Sequence, residues 1–326
     1  MKTLKKNPWY VAAGCFLQMF LGMGLCSSFS MMLPEISAHT GISTGSISGN
    51  LTVAYLASFI VSMFFFKPLL RKFGAKKLLI FGDFLLMFHY ILYSYAESLW
   101  FLRICGTLGG LVTLFACATP VSVVITNWFV DKRSSVLAFI MGGYGFGGMI
   151  ILPIVGRLIA AYGYQVAYRC HALGGILLLL VTLFMIEDNP EKVGTKAYGY
   201  EKAEEIAAAV AAKKEKESRQ GGLDLATARK TPSYWLMWVG LAISSFPGVA
   251  FRFYNGAFFR GPIGLDTVTY SNWASVLSVC IAVGMILMGV MADKIGSVKM
   301  VVLMHVISIA GYACAIVLMK NTGSFA

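Results

Sequence analysis

Ser245, Arg252 and Asn255 lie inside one long apolar run, spaced seven and three residues apart, which places them on one face of a helix. A guanidinium beside an amide suits a carboxylate, because its planar fork makes two parallel charge-assisted hydrogen bonds. Pro247 and Gly248, between the serine and the arginine, allow the backbone to bend there. An ionisable residue in such a run costs about 2.5–3.5 kcal/mol at the centre of a membrane span, so each one is a candidate for function. The others are Asp83, His89, Arg103, Arg157, Arg169, His171 and His305. Arg103, Arg157, Arg169 and His171 fall near the ends of their runs, and the last three are expected to reach back to the interface. Asp83 is the single carboxylate within a predicted span; it is expected either to pair with a lysine-rich loop nearby or to carry a coupling proton. Arginine in excess of carboxylate favours an organic anion as the ligand.

Neutral polar groups add to the candidate set. Tyr55 shares a helical face with Thr52, Ser58 and Ser62, and Gln18 and Tyr144 stand singly in other runs. Such groups serve as substrate contacts or as glue between helices. No histidine, cysteine or carboxylate set has metal-ligand spacing, and no serine or cysteine has a base beside it. Neither an enzyme nor a cofactor is expected.

The elements that must position these residues follow from composition. Of the 326 residues 58% are hydrophobic and 13% charged, against roughly 25% charged in soluble domains, so the chain is expected to be an all-α polytopic membrane protein. Nine apolar runs are long enough to cross a ~30 Å hydrocarbon core as helices. They cover residues 9–33, 49–66, 78–96, 100–129, 136–161, 166–186, 234–259, 270–291 and 300–319. The apolar run after the basic start is too long for a cleaved signal and reads as a retained first span. Twenty-one of the 27 lysines and arginines fall on one side of these runs. That side is predicted to be cytoplasmic, N-terminus included, in a multi-pass protein of the cell membrane. The net charge of +12 is then an expression of topology, and the expected partners are the bilayer and a small molecule, with no nucleic acid.

Residues 187–232 form the one long polar segment, and within it 200–222 read as an alanine-rich surface helix with acids first and bases last. Sliding the chain by 222 residues lays Lys67, Arg71, Lys72, Gly74 and Lys77 on Gly289, Asp293, Lys294, Gly296 and Lys299. The same shift lays the first three runs on the last three, as expected of two parallel helical halves, 1–186 and 233–326, joined by a linker. The fourth run would recur beyond Ala326. The second half is thus expected to be incomplete, either because the chain is a fragment or because it completes itself by oligomerising.

At these loops the sequence resembles the major facilitator superfamily. The loop motif G-x-x-x-D-[RK]-x-G-x-[RK]-[RK] is matched by Gly289, Asp293, Lys294, Gly296 and Lys299, while the first copy departs at Lys67 and Arg71. "RICGTLGG" from Arg103 is similar to the family's fourth span, and "GGYGFGGMIILPIVG" followed by "YGYQVAY" to its fifth and sixth. "NWFVDKRSSVLAF" and "RKTPSYWLMW" resemble, loosely, the oxalate/formate and monocarboxylate branch. The resemblance implies a secondary transporter working by alternating access, with a small monocarboxylate or dicarboxylate as substrate and a coupling proton or counter-anion. Efflux of an amphipathic drug, or a truncated product that does not transport, are the alternatives. It also implies that Asp293 locks a gate by meeting the start of the fifth helix near Arg133 to Ser135.

Overall fold

The computed structural model describes residues 7–202, 225–261 and 263–321. The predicted surface helix within 200–222 lies largely outside the described residues. Among the described residues, six stretches are long and apolar enough to cross a membrane. We label the helices α1 (Pro8–Thr40), α2 (Thr44–Phe73), α3 (Ala75–Tyr93), α4 (Leu99–Trp128), α7 (Pro232–Arg260), α8 (Thr267–Ile295) and α9 (Ser297–Asn321). Helices α5 and α6 are the two arms of Arg133–Met185, which turns at Gly163 with φ 79° and ψ 168°, a conformation that favours glycine.

Local chemistry fixes the starts of several helices. The side chains of Asn7, Ser43 and Ser98 accept hydrogen bonds from the backbone N–H of Trp9, Ser46 and Phe101, satisfying donors that a first turn leaves open. Asp266 does the same for Val268 and Thr269 at the head of α8, and the Thr269 hydroxyl and these amides hold its carboxyl below the usual carboxylate range. Gly74 and Gly296, which the 222-residue shift superposes, both take positive φ, 82° and 86°, immediately before α3 and α9.

Glycines let the helices close on one another. A Cβ at Gly147 would lie 1.9 Å from the Phe20 carbonyl oxygen of α1, and one at Gly145 would lie 2.6 Å from backbone atoms of Ala282 and Ser278 on α8. The glycines of α5 are therefore a packing surface between α1 and α8, as small residues are in membrane interfaces. Gly145→Ala should lower the stability of the detergent-solubilised protein by about 1–3 kcal/mol, read as a fall in its thermal unfolding midpoint. An unchanged midpoint would show that α5 and α8 do not pack this closely.

At the end of the bundle rich in lysine and arginine, a carboxylate meets a helix N-terminus where the sequence motif did not place one. Asp188, just after α6, accepts from the Lys76 N–H at 2.6 Å at the start of α3 and pairs with Lys192 at 3.0 Å. Lys76 in turn pairs with Glu187 at 2.9 Å. Where Arg71 breaks the first copy of the loop motif, Asp188 supplies a negative charge to the first turn of α3.

Candidate functional site

A cavity of about 330 Å³ opens between α1, α2, α3, α4, α6 and α7. Its walls are mainly aromatic and apolar, including Phe29, Tyr55, Tyr90, Tyr93 and Phe253, and Arg252 is the one arginine or lysine among its lining residues. The guanidinium carbon lies 4.5 Å from the centre of the Tyr144 ring and 5.5 Å from that of Phe253, so ring faces hold it by cation–π attraction. No acidic side chain lies among the cavity's lining residues, and none of the ion pairs described includes Arg252. A half-buried guanidinium between two rings has the planar fork that can donate two parallel hydrogen bonds to a pair of acceptor oxygens, as a carboxylate offers.

The helical stripe that carries Arg252 does not converge on it. Ser245 is exposed and donates to the Leu241 carbonyl at 2.7 Å. Asn255 is buried and accepts from the Tyr270 hydroxyl at 2.7 Å. Pro247 is accommodated without interrupting α7. Tyr55 lines the cavity, its ring 6.2 Å from Phe253. Arg103 lies elsewhere, its guanidinium laid over Gly49, where a Cβ would meet it at 2.6 Å.

Asp83 does not pair with lysine. It is fully buried, with Gln18 Nε2 donating to Oδ1 at 2.6 Å and Thr182 Oγ1 in contact with Oδ2 at 2.6 Å. Depth explains the difference from expectation: the lysines of the loop stay at the end of the bundle, while α1 and α6 close around the carboxyl. Gln18 is thereby withdrawn from the cavity, its Nε2 also donating to the Ala116 carbonyl at 3.0 Å. The Thr182 hydroxyl faces two acceptors, Asp83 Oδ2 and Gln18 Oε1 at 3.1 Å, and has a single proton for them. A proton on Asp83 would complete the set: Asp83 could then donate to Thr182, and Thr182 to Gln18.

His171 does not reach the interface either; it is buried, bonded to Ser28 at 2.7 Å and to the Ala167 carbonyl at 2.6 Å. Arg169 lies over the Tyr95 ring at 5.1 Å. In the loop motif Gly296 has positive φ and Lys299 is exposed, Gly289 belongs to α8, and the side chains of Asp293 and Lys294 lie outside the described residues. The Asp293 backbone belongs to the last turn of α8.

The sequence reading missed the polar contacts at the end of the bundle opposite the lysine-rich loops. Arg260, the last residue of α7, donates to Glu35 at 2.6 Å and to the Met31 carbonyl at 3.2 Å. Ser30 bonds Tyr270 at 3.1 Å, and the hydroxyls of Ser48 and Tyr254 bond each other. The available signal was charge complementarity between Glu35 and Arg260, each at the end of an apolar run.

The family model of the Major Facilitator Superfamily matches residues 14–325. The chain belongs to that superfamily, whose members are membrane transporters and not enzymes. It is 26% identical over 292 residues to the MFS-type transporter pytF of Aspergillus terreus, covering 89% of this chain and 90% of that one. It is 22% identical over 246 residues to the oxalate:formate antiporter of Oxalobacter formigenes, covering 74% of this chain and 53% of the antiporter. Among solved structures it shares a fold with a bacterial homologue of the human lysosomal transporter Spinster, in an inward-facing, unoccupied conformation. There the TM-score is 0.61 and the identity 14%, over 88% of this chain and 63% of that one.

Proposed function

We propose that the chain carries an organic anion across the cell membrane by alternating access, with Arg252 as the anion-binding group and Asp83 as the carrier of a coupling proton. The observation that carries the reading is Arg252, set between two aromatic faces in a cavity with no acidic lining residue. Similarity to an oxalate:formate antiporter supports a carboxylate as the substrate class. The two helical portions, 1–186 and 233–326, rock about the cavity, and the lysine-rich loops and N-terminus face the cytoplasm. Asp293 locks the cytoplasmic side when that side closes. In this reading the opposite side is the closed one, with Glu35 and Arg260, which pair at 2.6 Å, as its gate.

The gate pair makes a separate prediction. A half-buried charge-assisted bond contributes about 1.5–3 kcal/mol, so Arg260→Gln should shift the opening equilibrium about ten-fold or more. Cys26 lines the cavity and reports this as faster labelling by a membrane-impermeant thiol reagent added outside, in a background whose other cysteines are serine. Unchanged labelling would show that the pair is not a gate.

A second reading, export of amphipathic compounds, is favoured by the aromatic lining of the cavity. Flux of radiolabelled lactate, formate or oxalate into vesicles bearing the protein, against flux of an uncharged lipophilic dye, separates the two. Anion flux without dye flux is the expected result; dye flux alone would establish the second reading.

A further inference from the structure

Among the residues lining the cavity, Asn50, His89 and Tyr168 carry buried polar atoms without a hydrogen-bond partner. Both side-chain atoms of Asn50, the His89 Nδ1 and the Tyr168 hydroxyl make no hydrogen bond, although these residues are only 1%, 8% and 2% exposed. The Tyr93 phenol is beside Asn50 but out of hydrogen-bonding geometry. An unsatisfied buried polar group costs about 1–3 kcal/mol, and three such residues in the wall of one cavity are candidates to take a ligand's polar atoms. The surrounding packing keeps them there. Gly106 and Gly109 of α4 leave room that a Cβ would fill, at 2.8 Å from the Asn50 carbonyl oxygen and 2.7 Å from His89 Nε2.

Aromatic rings in contact run from the guanidinium to this cluster. Arg252 lies 5.5 Å from Phe253, Phe253 6.5 Å from Phe29, Phe29 6.4 Å from Tyr93, and Tyr93 4.9 Å from His89. The cavity thus combines a cation, aromatic walls and a cluster of neutral hydrogen-bonding groups. Its volume of about 330 Å³ is that of a site for a ligand with a hydrocarbon body, and exceeds what a two-carbon dianion fills.

We propose that Asn50, His89 and Tyr168 form a second subsite that takes the distal hydroxyl or amide of an amphipathic organic anion whose acidic group sits on Arg252. The substrate class is then a carboxylate with an apolar or aromatic body and a neutral polar tip. This rests on the anion reading for the Arg252 end, while the subsite itself is read independently.

Two probe pairs test it on the purified 326-residue chain in lipid nanodiscs, by calorimetric titration. One pair is 4-hydroxyphenylacetate and phenylacetate; the other, uncharged, is the corresponding amides. Within each pair the hydroxyl should strengthen binding about ten-fold or more. Tyr168→Phe and Asn50→Leu remove groups that bond nothing in the protein, so the fold keeps its bonds; each should reduce the hydroxyl preference to within about two-fold and leave phenylacetate binding intact. Arg252→Ala should weaken both carboxylates while preserving the hydroxyl preference of the amides. Equal binding within both pairs, binding of none of the four probes, or a preference that survives both variants would overturn the subsite. Carboxylate binding unchanged in Arg252→Ala would overturn the anion reading alone.

Discussion

Arg252→Ala should abolish organic-anion uptake while the protein inserts normally. Among the described residues Arg252 is the only arginine or lysine lining the cavity, and truncating one partner of a buried charge-assisted pair costs about 2–5 kcal/mol, roughly 30-fold to several thousand-fold in affinity. Its contacts in the protein are ring faces at 4.5 and 5.5 Å, each worth about 0.5–2 kcal/mol, so the fold should survive its loss. Arg252→Lys keeps the charge and loses both the fork and the planar stack on Tyr144, and should fall between, about ten-fold below the parent. Uptake by vesicles, normalised to the amount of inserted protein, reads both variants. Full uptake by Arg252→Ala would remove the guanidinium from the site.

Asp83→Asn should separate exchange from accumulation. Asparagine reproduces the protonated network: its carbonyl accepts from Gln18 Nε2, its amide donates to Thr182, and Thr182 donates to Gln18 Oε1. The variant should fold, and exchange labelled for unlabelled anion within about two-fold of the parent. It carries no proton that can leave, so accumulation driven by a pH gradient should drop to the level seen without one. Asp83→Leu, by contrast, strands the polar ends of Gln18 and Thr182 in a dry interface, at about 1–3 kcal/mol for each, and should express poorly. The measurement is anion accumulation with and without an imposed pH gradient. Gradient-driven accumulation by Asp83→Asn equal to that of the parent would rule out Asp83 as the coupling group.

The helical class and the apolar character of the long helices were legible because each rests on a strong physical signal. Hydrocarbon leaves the backbone no hydrogen-bond partner but itself, and positive-φ glycines at 74 and 296 keep the loop geometry recognisable. The inward faces of the helices were much less legible. In a membrane the lipid-facing and helix-facing sides are both apolar, so hydropathy does not fix how a helix is rotated about its axis. Gln18, a candidate for the cavity, faces Asp83 and Thr182 for that reason. Shared helical spacing failed Ser245 and Asn255 differently: ten residues of helix are about 15 Å, so the ends of the stripe meet different surroundings. Asn50, His89 and Tyr168 come from three helices with no common spacing, and only the packed structure brings them to one cavity.

The most direct measurement is counterflow in proteoliposomes that contain the 326-residue chain and no other protein. Vesicles loaded with unlabelled carboxylate and diluted into a trace of the labelled compound should show a transient overshoot of internal label above equilibrium, absent in the Arg252→Ala variant. No overshoot with formate, lactate, oxalate or 4-hydroxyphenylacetate, or an equal overshoot in Arg252→Ala, would contradict an organic-anion carrier built on Arg252.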